Sequence, residues 1–227
     1  CRIPGDSDSS NAGGETGRSV DDSTLFEALD CLDSVDLFDT VSRTETLVPM
    51  VPRLEWVAAE ELSVRAVTDI GRGTVLWGEP QAASSEGAMV VLGIPAMTPA
   101  TVVLTAETEH GLVCSEEVEI PASSLPANVP SLNLTNYDSD RAEGGYMSTV
   151  VITEDGHFIS IIDDRGEYVW LLDRGRDNVI GANFSLDGEG LVYMRWATPA
   201  NADSDPPTVA APGDIVRVGW DGEILSS

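Results

Sequence analysis

Two stretches decide the fold: residues 159–169, ISIIDDRGEYV, and residues 215–225, IVRVGWDGEIL. Each contains an apolar run, a turn with Gly and Glu, and a second apolar run, and they are offset by 215 − 159 = 56 residues. A strand, a glycine turn and another strand that recur every ~50 residues are typical of β-propeller blades. The insertion at 197–213 explains the longer period. The pattern predicts the opening blades of a β-propeller over residues 131–227, and two coincidental hairpins are the alternative.

The preceding part of the chain has a different pattern. Short runs rich in Val, Leu, Thr or Trp and bounded by Gly, Pro or acidic turns predict strands at residues 46–58, 62–69, 74–77, 88–94, 101–108 and 112–120. Closely spaced short strands are typical of an antiparallel sandwich. Residues 92–102, LGIPAMTPATV, resemble a turn segment of fibronectin type III domains. We therefore expect an all-β chain with an immunoglobulin- or fibronectin III-like sandwich at 46–121 and a Pro/Ser linker at 122–130.

The N-terminal residues predict a tether. Residues 1–23 are rich in Gly, Ser and Asp and almost free of large apolar side chains, which indicates a flexible acidic segment. Cys1 before such a segment is typical of a bacterial lipoprotein that has lost its signal sequence and is diacylated on the cysteine sulfur. A chain that begins at Cys1 by chance is the alternative. The lipoprotein reading predicts an extracytoplasmic, outer-membrane-anchored protein that faces the periplasm or the cell surface.

A short helix and a connector are predicted between the tether and the sandwich, over residues 24–45. Thr24 and Glu27 have the spacing of a capping box. Leucines follow at helical spacing, at positions 25, 29 and 32. The expected helix covers residues 24–38, carries Cys31 near its middle and packs on the edge of the sandwich.

The charge of the chain is strongly one-sided. It has 12 basic residues, all arginine, against 39 acidic residues, for a formal net charge of −27. A field of this sign repels nucleic acid phosphates and anionic lipid surfaces. We therefore expect no nucleic acid partner and membrane contact only through the N-terminal lipid anchor. The expected partners are further propeller blades or a second chain that completes the exposed sheet edge.

Cys31 and Cys114 are the cysteines that remain when Cys1 is set aside as the lipidation site. Outside the cytoplasm two such cysteines predict a disulfide that joins the N-terminal segment to the sandwich. Two buried free thiols are the alternative.

The sequence offers few candidates for chemistry, and we expect neither a cofactor nor a catalytic residue. His110 and His157 both lie in or beside hairpin turns, so a solvated turn role is favoured over catalysis. No pair of His or Cys residues has a zinc-site spacing.

Two loops have oxygen-bearing side chains at alternate positions, as calcium loops do: Asn136, Asp138 and Asp140, and Asn201, Asp203 and Asp205. Both lack the Gly and the distal Glu of a complete EF-hand loop, so polar turns are the alternative. The five tryptophans lie in strand-like runs, which favours core packing over a ligand surface: Trp56, Trp77, Trp170, Trp196 and Trp220.

The order of these parts resembles the arylsulfotransferase family. Residues 162–170, IDDRGEYVW, are similar to its first-blade segment, and residues 213–224, GDIVRVGWDGEI, to the outer hairpin of its second blade. The family transfers sulfuryl groups between phenols without a nucleotide donor, through a sulfated histidine on the propeller axis. The resemblance implies an N-terminal part of such an enzyme, with the catalytic histidines and arginine in blades beyond this chain. A non-catalytic surface module for adhesion or assembly is the competing hypothesis.

Overall fold

The structure is a computed structural model that describes residues 29–32, 37–71, 73–132, 145–196 and 213–227. These residues form fifteen β-strands and no helix, which confirms the all-β prediction. In chain order the strands are β1 (Phe38–Thr44), β2 (Arg53–Leu62), β3 (Val64–Asp69), β4 (Val75–Trp77), β5 (Ser84–Val90), β6 (Ala100–Thr108), β7 (Gly111–Cys114), β8 (Val118–Ile120), β9 (Met147–Ile152), β10 (His157–Ile162), β11 (Tyr168–Asp173), β12 (Asn178–Phe184), β13 (Gly190–Trp196), β14 (Gly213–Gly219) and β15 (Ile224–Ser226).

The strands form four antiparallel sheets, which we name sheets I to IV. Sheet I has the order β1-β2-β5, and sheet II has the order β4-β3-β6-β7, with β8 also paired to β6. Sheet III has the order β11-β10-β9, and sheet IV has the order β12-β13-β14-β15. Sheets I and II therefore exchange strands through crossovers, whereas sheets III and IV are simple meanders. None of the four sheets closes on itself within the described residues.

Sheets I and II share one hydrophobic core. Along β2, Leu54, Trp56 and Ala58 are buried and the residues between them are exposed, because successive side chains of a strand point to opposite faces. Val102 and Leu104 of β6 are fully buried in the same cluster. The two sheets therefore cover each other's apolar faces.

Sheets III and IV share a second core. Ile159 and Trp170 of sheet III lie in one buried cluster with Leu191, Tyr193 and Val216 of sheet IV. The indole N–H of Trp170 donates a hydrogen bond of 2.8 Å to the carbonyl oxygen of Trp220. The two meanders are thus stacked face to face.

The loop between β1 and β2 reaches into this second core. Val48 and Val51 are fully buried there with the side chains of sheets III and IV. The N–H of Leu47 donates a hydrogen bond of 3.0 Å to the carbonyl oxygen of Asp221, in the turn between β14 and β15. Residues from the predicted sandwich therefore complete the packing of the C-terminal sheets.

A third buried cluster covers the other face of sheet III. It joins Met50, Ala96 and Val129 to Phe158 and Tyr168 of sheet III. The N–H of Ala96 donates a hydrogen bond of 2.7 Å to the carbonyl oxygen of Tyr168. The predicted linker, residues 122–130, therefore lies against sheet III through Val129.

The predicted helix over residues 24–38 is wrong at the residues that the structure describes. Leu29 and Asp30 form a turn, and Asp30 has φ +52°, a left-handed conformation that ends a right-handed helix. The N–H of Leu32 donates to the carbonyl oxygen of Leu112 at 2.9 Å, so β7 takes the donor that a helix would use. Residues 24–28 and 33–36 lie outside the described residues.

Two further boundaries differ from the prediction. Phe38–Thr44, predicted as connector, forms β1 and pairs with β2. The strand predicted over residues 46–58 begins only at Arg53, because the hydroxyl of Thr46 holds the preceding loop closed. This hydroxyl donates to the carbonyl oxygen of Val51 at 2.7 Å and accepts from the N–H of Val48 at 3.1 Å.

Candidate functional site

The predicted disulfide is present. Cys31 is bonded to Cys114 across 83 residues of chain, with 5.8 Å between the Cα atoms. Cys31 is buried, and Leu32 beside it pairs with β7 through the hydrogen bond to Leu112. The bridge therefore holds the N-terminal segment against the edge of sheet II.

The hairpins of the sequence repeat have the same hydrogen bonds. The N–H of Asp163 donates to the carbonyl oxygen of Glu167 at 3.0 Å, and the N–H of Gly219 donates to that of Glu223 at 2.8 Å. The offset is 219 − 163 = 56 in both partners. The repeat in sequence is therefore also a repeat in structure.

The turn glycines occupy equivalent places in the two hairpins. Gly166 has φ +80° and Gly222 has φ +88°, where a side chain would be strained. Each donates its N–H to the residue three positions earlier, to Asp163 at 3.1 Å and to Gly219 at 3.0 Å. Both turns therefore need a glycine at the same position of the repeat.

The equivalence extends to a third strand. In sheet III, Ile159 of β10 lies opposite Val150 of β9, and in sheet IV, Ile215 of β14 lies opposite Met194 of β13. Strands β9, β10 and β11 thus correspond to β13, β14 and β15. Strand β12 has no counterpart among the described residues of sheet III.

The outward face of sheet IV is the most distinctive exposed surface. Ile180 pairs with Met194, which pairs with Ile215, so the three side chains form a row across three strands. They are 54%, 40% and 67% exposed, respectively. We call these residues the outer row. An exposed apolar row on a sheet whose other face is buried is typical of an interaction surface.

A cleft lies beside one end of the outer row. Its volume is about 390 Å³, and it is lined by Ile152, His157, Asn178, Val179, Ile180 and Trp196. The Nδ1 atom of His157 lies 2.5 Å from the carbonyl oxygen of Asp177. Because a carbonyl oxygen only accepts hydrogen bonds, Nδ1 carries the proton. The backbone carbonyl of Asp177 therefore orients this imidazole. The rest of the cleft is lined mainly by apolar side chains.

Tyr193 is buried in the core that sheets III and IV share. Its hydroxyl has no hydrogen-bond partner among the described residues. Burial raises the pKa of Tyr193, and the charges of Arg174 and Arg195 partly oppose that rise. The guanidinium of Arg174 lies 5.6 Å from the ring centre of Tyr193 and also pairs with Asp177 at 3.1 Å.

Several predicted site residues lie outside the described residues. They are Cys1 and both calcium candidates: Asn136, Asp138, Asp140, Asn201, Asp203 and Asp205. Within the part of the chain that the structure describes, no three His, Cys, Asp or Glu side chains come close enough to hold a metal ion. No helix of the described residues could cross a membrane.

His110 is exposed and lies 3.3 Å from Glu109, at a hairpin turn.

The core packing predicted for the tryptophans is only partly correct. Trp56 and Trp170 are buried, Trp220 is partly buried and packs against the core of sheets III and IV, and Trp196 is partly buried. Trp77 is 49% exposed on the short edge strand β4, where the guanidinium of Arg65 lies 4.7 Å from its ring. An edge strand has no neighbouring strand on one side, so its aromatic side chain packs against a long cation instead.

Sequence reasoning did not identify the outer row. The sequence repeat contained a signal for it, because the offset of 56 makes Ile215 equivalent to Ile159, which is buried in the core.

Comparison with known protein families, curated proteins and solved structures found no match to this chain.

Proposed function

We propose that this chain is the N-terminal part of an arylsulfotransferase-like extracytoplasmic lipoprotein, in which it supports the first blades of a β-propeller. In this proposal sheets I and II are a fibronectin III-like sandwich, and sheets III and IV are successive blades. The catalytic histidines and arginine belong to blades outside the described residues. The described residues form the base on which the catalytic blades are assembled.

The repeated hairpin carries the proposal. Two stacked meanders that share one turn, one set of turn hydrogen bonds and one hairpin register are what consecutive propeller blades require. The crossovers of sheets I and II, which enclose one core, support the sandwich. The packing of Val48 and Val51 into the core of sheets III and IV supports a role of the sandwich as base.

The disulfide supports the location outside the cytoplasm. A bridge such as Cys31–Cys114 persists in oxidising compartments and is rare in the reducing cytosol. The lipid anchor at Cys1 remains a prediction from sequence. Intact mass of protein taken from its native membrane tests it, because a diacylglyceryl group adds a defined mass. An unmodified Cys1 contradicts the anchor.

The activity is tested on the full-length protein from its native membrane. We expect it to transfer a sulfuryl group from an aryl sulfate to a second phenol without a nucleotide donor. The readout is the free donor phenol together with the sulfate ester of the acceptor. The variant His110→Ala should keep full activity, since this histidine is not assigned to catalysis. Absence of transfer contradicts the enzymatic proposal.

A non-catalytic assembly module is the second candidate, and the outer row favours it. Ile180, Met194 and Ile215 offer an exposed apolar surface, and apolar side chains bind but do not carry out a reaction. On this reading the protein acts by binding, and full-length protein transfers no sulfuryl group. The transfer assay therefore separates the two candidates.

A further inference from the structure

Two cross-strand pairs form the walls of the cleft beside the outer row. His157 lies opposite Ile152 at one end of sheet III, and Asn178 lies opposite Trp196 at one end of sheet IV. Side chains directly opposite each other in an antiparallel pair lie on the same face. Each pair therefore supplies one wall. The volume of about 390 Å³ is within the range of small-molecule sites.

The imidazole of His157 is fixed before any ligand binds. The N–H of His157 donates to the carbonyl oxygen of Gly175 at 2.6 Å, and its carbonyl oxygen accepts from the N–H of Arg174 at 2.9 Å. The ion pair of Arg174 with Asp177, at 3.1 Å, holds the turn whose Asp177 carbonyl meets Nδ1. Because Nδ1 is turned to the backbone, Nε2 is the ring nitrogen that a ligand can meet. A neutral imidazole with a proton on Nδ1 presents Nε2 as an acceptor.

The other lining side chains select the body of the ligand. Ile152, Val179 and Ile180 are aliphatic, so they favour an apolar ligand body over a polar one. Trp196 adds an aromatic ring, whose face attracts a cation. The lining therefore suits a ligand with a hydrocarbon chain and a hydrogen-bond donor that carries positive charge.

The charges around the cleft have the sign that such a ligand requires. Glu154 and Asp155 are exposed in the turn that joins Ile152 to His157, and this turn has no basic residue. The turn between β11 and β12 is balanced, with Asp173 and Asp177 against Arg174 and Arg176. The chain as a whole has a net charge of −27. A field of this sign attracts cations and repels carboxylate ligands.

We propose that this cleft binds a small alkylammonium ion. The ammonium group donates a hydrogen bond to Nε2 of His157 and lies against the ring of Trp196, and the alkyl chain packs on the aliphatic wall. Arg174 is a positioning residue, since it acts through the turn that holds the imidazole. Binding at this cleft goes beyond the proposed function and depends neither on closure of a propeller nor on sulfuryl transfer.

The test compares three probes that share one hydrocarbon chain: n-hexylammonium, n-hexanol and hexanoate. Each is titrated into the isotope-labelled full chain at about pH 8, at which an alkylammonium ion keeps its proton. The readout is the NMR signal of the Trp196 indole N–H, identified by its absence in Trp196→Leu. We expect n-hexylammonium to shift this signal with a Kd in the millimolar range. Binding of n-hexanol should be about fivefold weaker, because it lacks the charge, and hexanoate should not bind.

Two variants test the parts of the site. His157→Asn keeps an N–H for the carbonyl oxygen of Asp177 but has no counterpart of Nε2, and it should weaken n-hexylammonium binding about tenfold. Trp196→Leu keeps an apolar wall without the aromatic face, so the amide signal of His157 serves as its readout. It should weaken n-hexylammonium binding more than n-hexanol binding. Trp77→Leu, at a half-exposed tryptophan on β4, is the matched control and should change neither.

A charge substitution keeps the test decisive if His157→Asn disturbs folding, which amide exchange of β10 reports. Ile152 is 66% exposed, so long polar side chains fit there. Ile152→Lys places a second ammonium at the cleft and should bind n-hexylammonium about fivefold more weakly than Ile152→Gln, which has similar length and no charge.

Four outcomes overturn the proposal. The Trp196 signal does not respond to n-hexylammonium, or hexanoate binds as tightly as n-hexylammonium. Trp196→Leu and Trp77→Leu have equal effects. Ile152→Lys and Ile152→Gln bind n-hexylammonium equally well. None of these measurements involves sulfuryl transfer, so a failure of binding is distinguishable from a failure of the enzymatic proposal.

Discussion

Replacing Gly222 by alanine tests the contact between the β1–β2 loop and the C-terminal sheets. Gly222 lies in the turn between β14 and β15 with φ +88°. A Cβ atom at this position would lie 2.8 Å from the Cβ of Leu47, 3.1 Å from the Cγ2 of Val48 and 3.2 Å from the Cδ1 of Leu172. These contacts are shorter than van der Waals separation, and the first two belong to the loop. The loop must therefore move away in Gly222→Ala.

The matched control is Gly188→Ala, in the turn between β12 and β13. Gly188 has φ +76°, and a Cβ there would meet nothing within 4 Å. Both variants therefore have the left-handed backbone strain of an alanine, about 1 kcal/mol, and the same change in the unfolded chain. Only Gly222→Ala adds overpacking, about 2 kcal/mol. We expect losses in the free energy of unfolding of about 3 kcal/mol for Gly222→Ala and about 1 kcal/mol for Gly188→Ala.

The assay is urea unfolding followed by tryptophan fluorescence, with the disulfide intact. The midpoint should fall further for Gly222→Ala than for Gly188→Ala. Amide exchange adds a local readout, since the N–H of Leu47 is bonded to Asp221 at 3.0 Å. This amide should exchange faster in Gly222→Ala and not in Gly188→Ala. Equal losses of stability, or an unchanged Leu47 amide, would refute the packing of the loop on this turn.

Three further predictions concern buried and charged groups. Tyr193→Phe should leave the free energy of unfolding unchanged or raise it by about 1 kcal/mol, since it removes a buried hydroxyl without a partner among the described residues. Burial raises the pKa of Tyr193, so wild-type protein loses stability as the pH rises through that pKa. Urea titrations at alkaline pH should show a smaller loss in the variant, because Tyr146 and Tyr168, whose pKa values burial also raises, are still present. A hydrogen bond from the Ser185 hydroxyl lowers the pKa of Asp187 below 3.8. The stability that the ionised Asp187 contributes is therefore lost as the pH falls through its lowered pKa. Asp187→Asn should flatten this pH dependence in unfolding measured from about pH 5 to about pH 2. Cys31→Ser should lower the free energy of unfolding by about 4 kcal/mol, because the bridge to Cys114 closes a long loop. The same urea assay with reductant should leave this variant unchanged.

The features that could be predicted from sequence are local or strongly periodic. The turns at Gly166 and Gly222 follow from a few adjacent residues, because a glycine adopts a left-handed φ without strain. The disulfide was predictable since few cysteines were available for pairing. The predicted strands at residues 62–69 and 101–108 match β3 and β6 closely, because apolar runs bounded by turn residues form strands in many contexts.

The features that could not be predicted depend on distant neighbours. A capping box and spaced leucines favoured a helix around Cys31, yet the described residues there pair with β7 through Leu32. Residues 46–52 read as strand, yet the hydroxyl of Thr46 closes them into a loop that packs on sheets III and IV. In both cases a partner far along the chain competes successfully with the local preference.

The sequence by itself predicted an all-β fold class, two hairpins that repeat 56 residues apart and a bond between Cys31 and Cys114, and all three are present in the structure. Only the tertiary structure decided which face of sheet IV is left exposed. Each face of strand β14 has both an aliphatic and a charged side chain, Ile215 with Arg217 on one and Val216 with Asp214 on the other, so alternation alone does not distinguish the faces. Val216 is buried because sheet III packs on its side of the strand, and Ile215 is exposed because no described residues cover the other side.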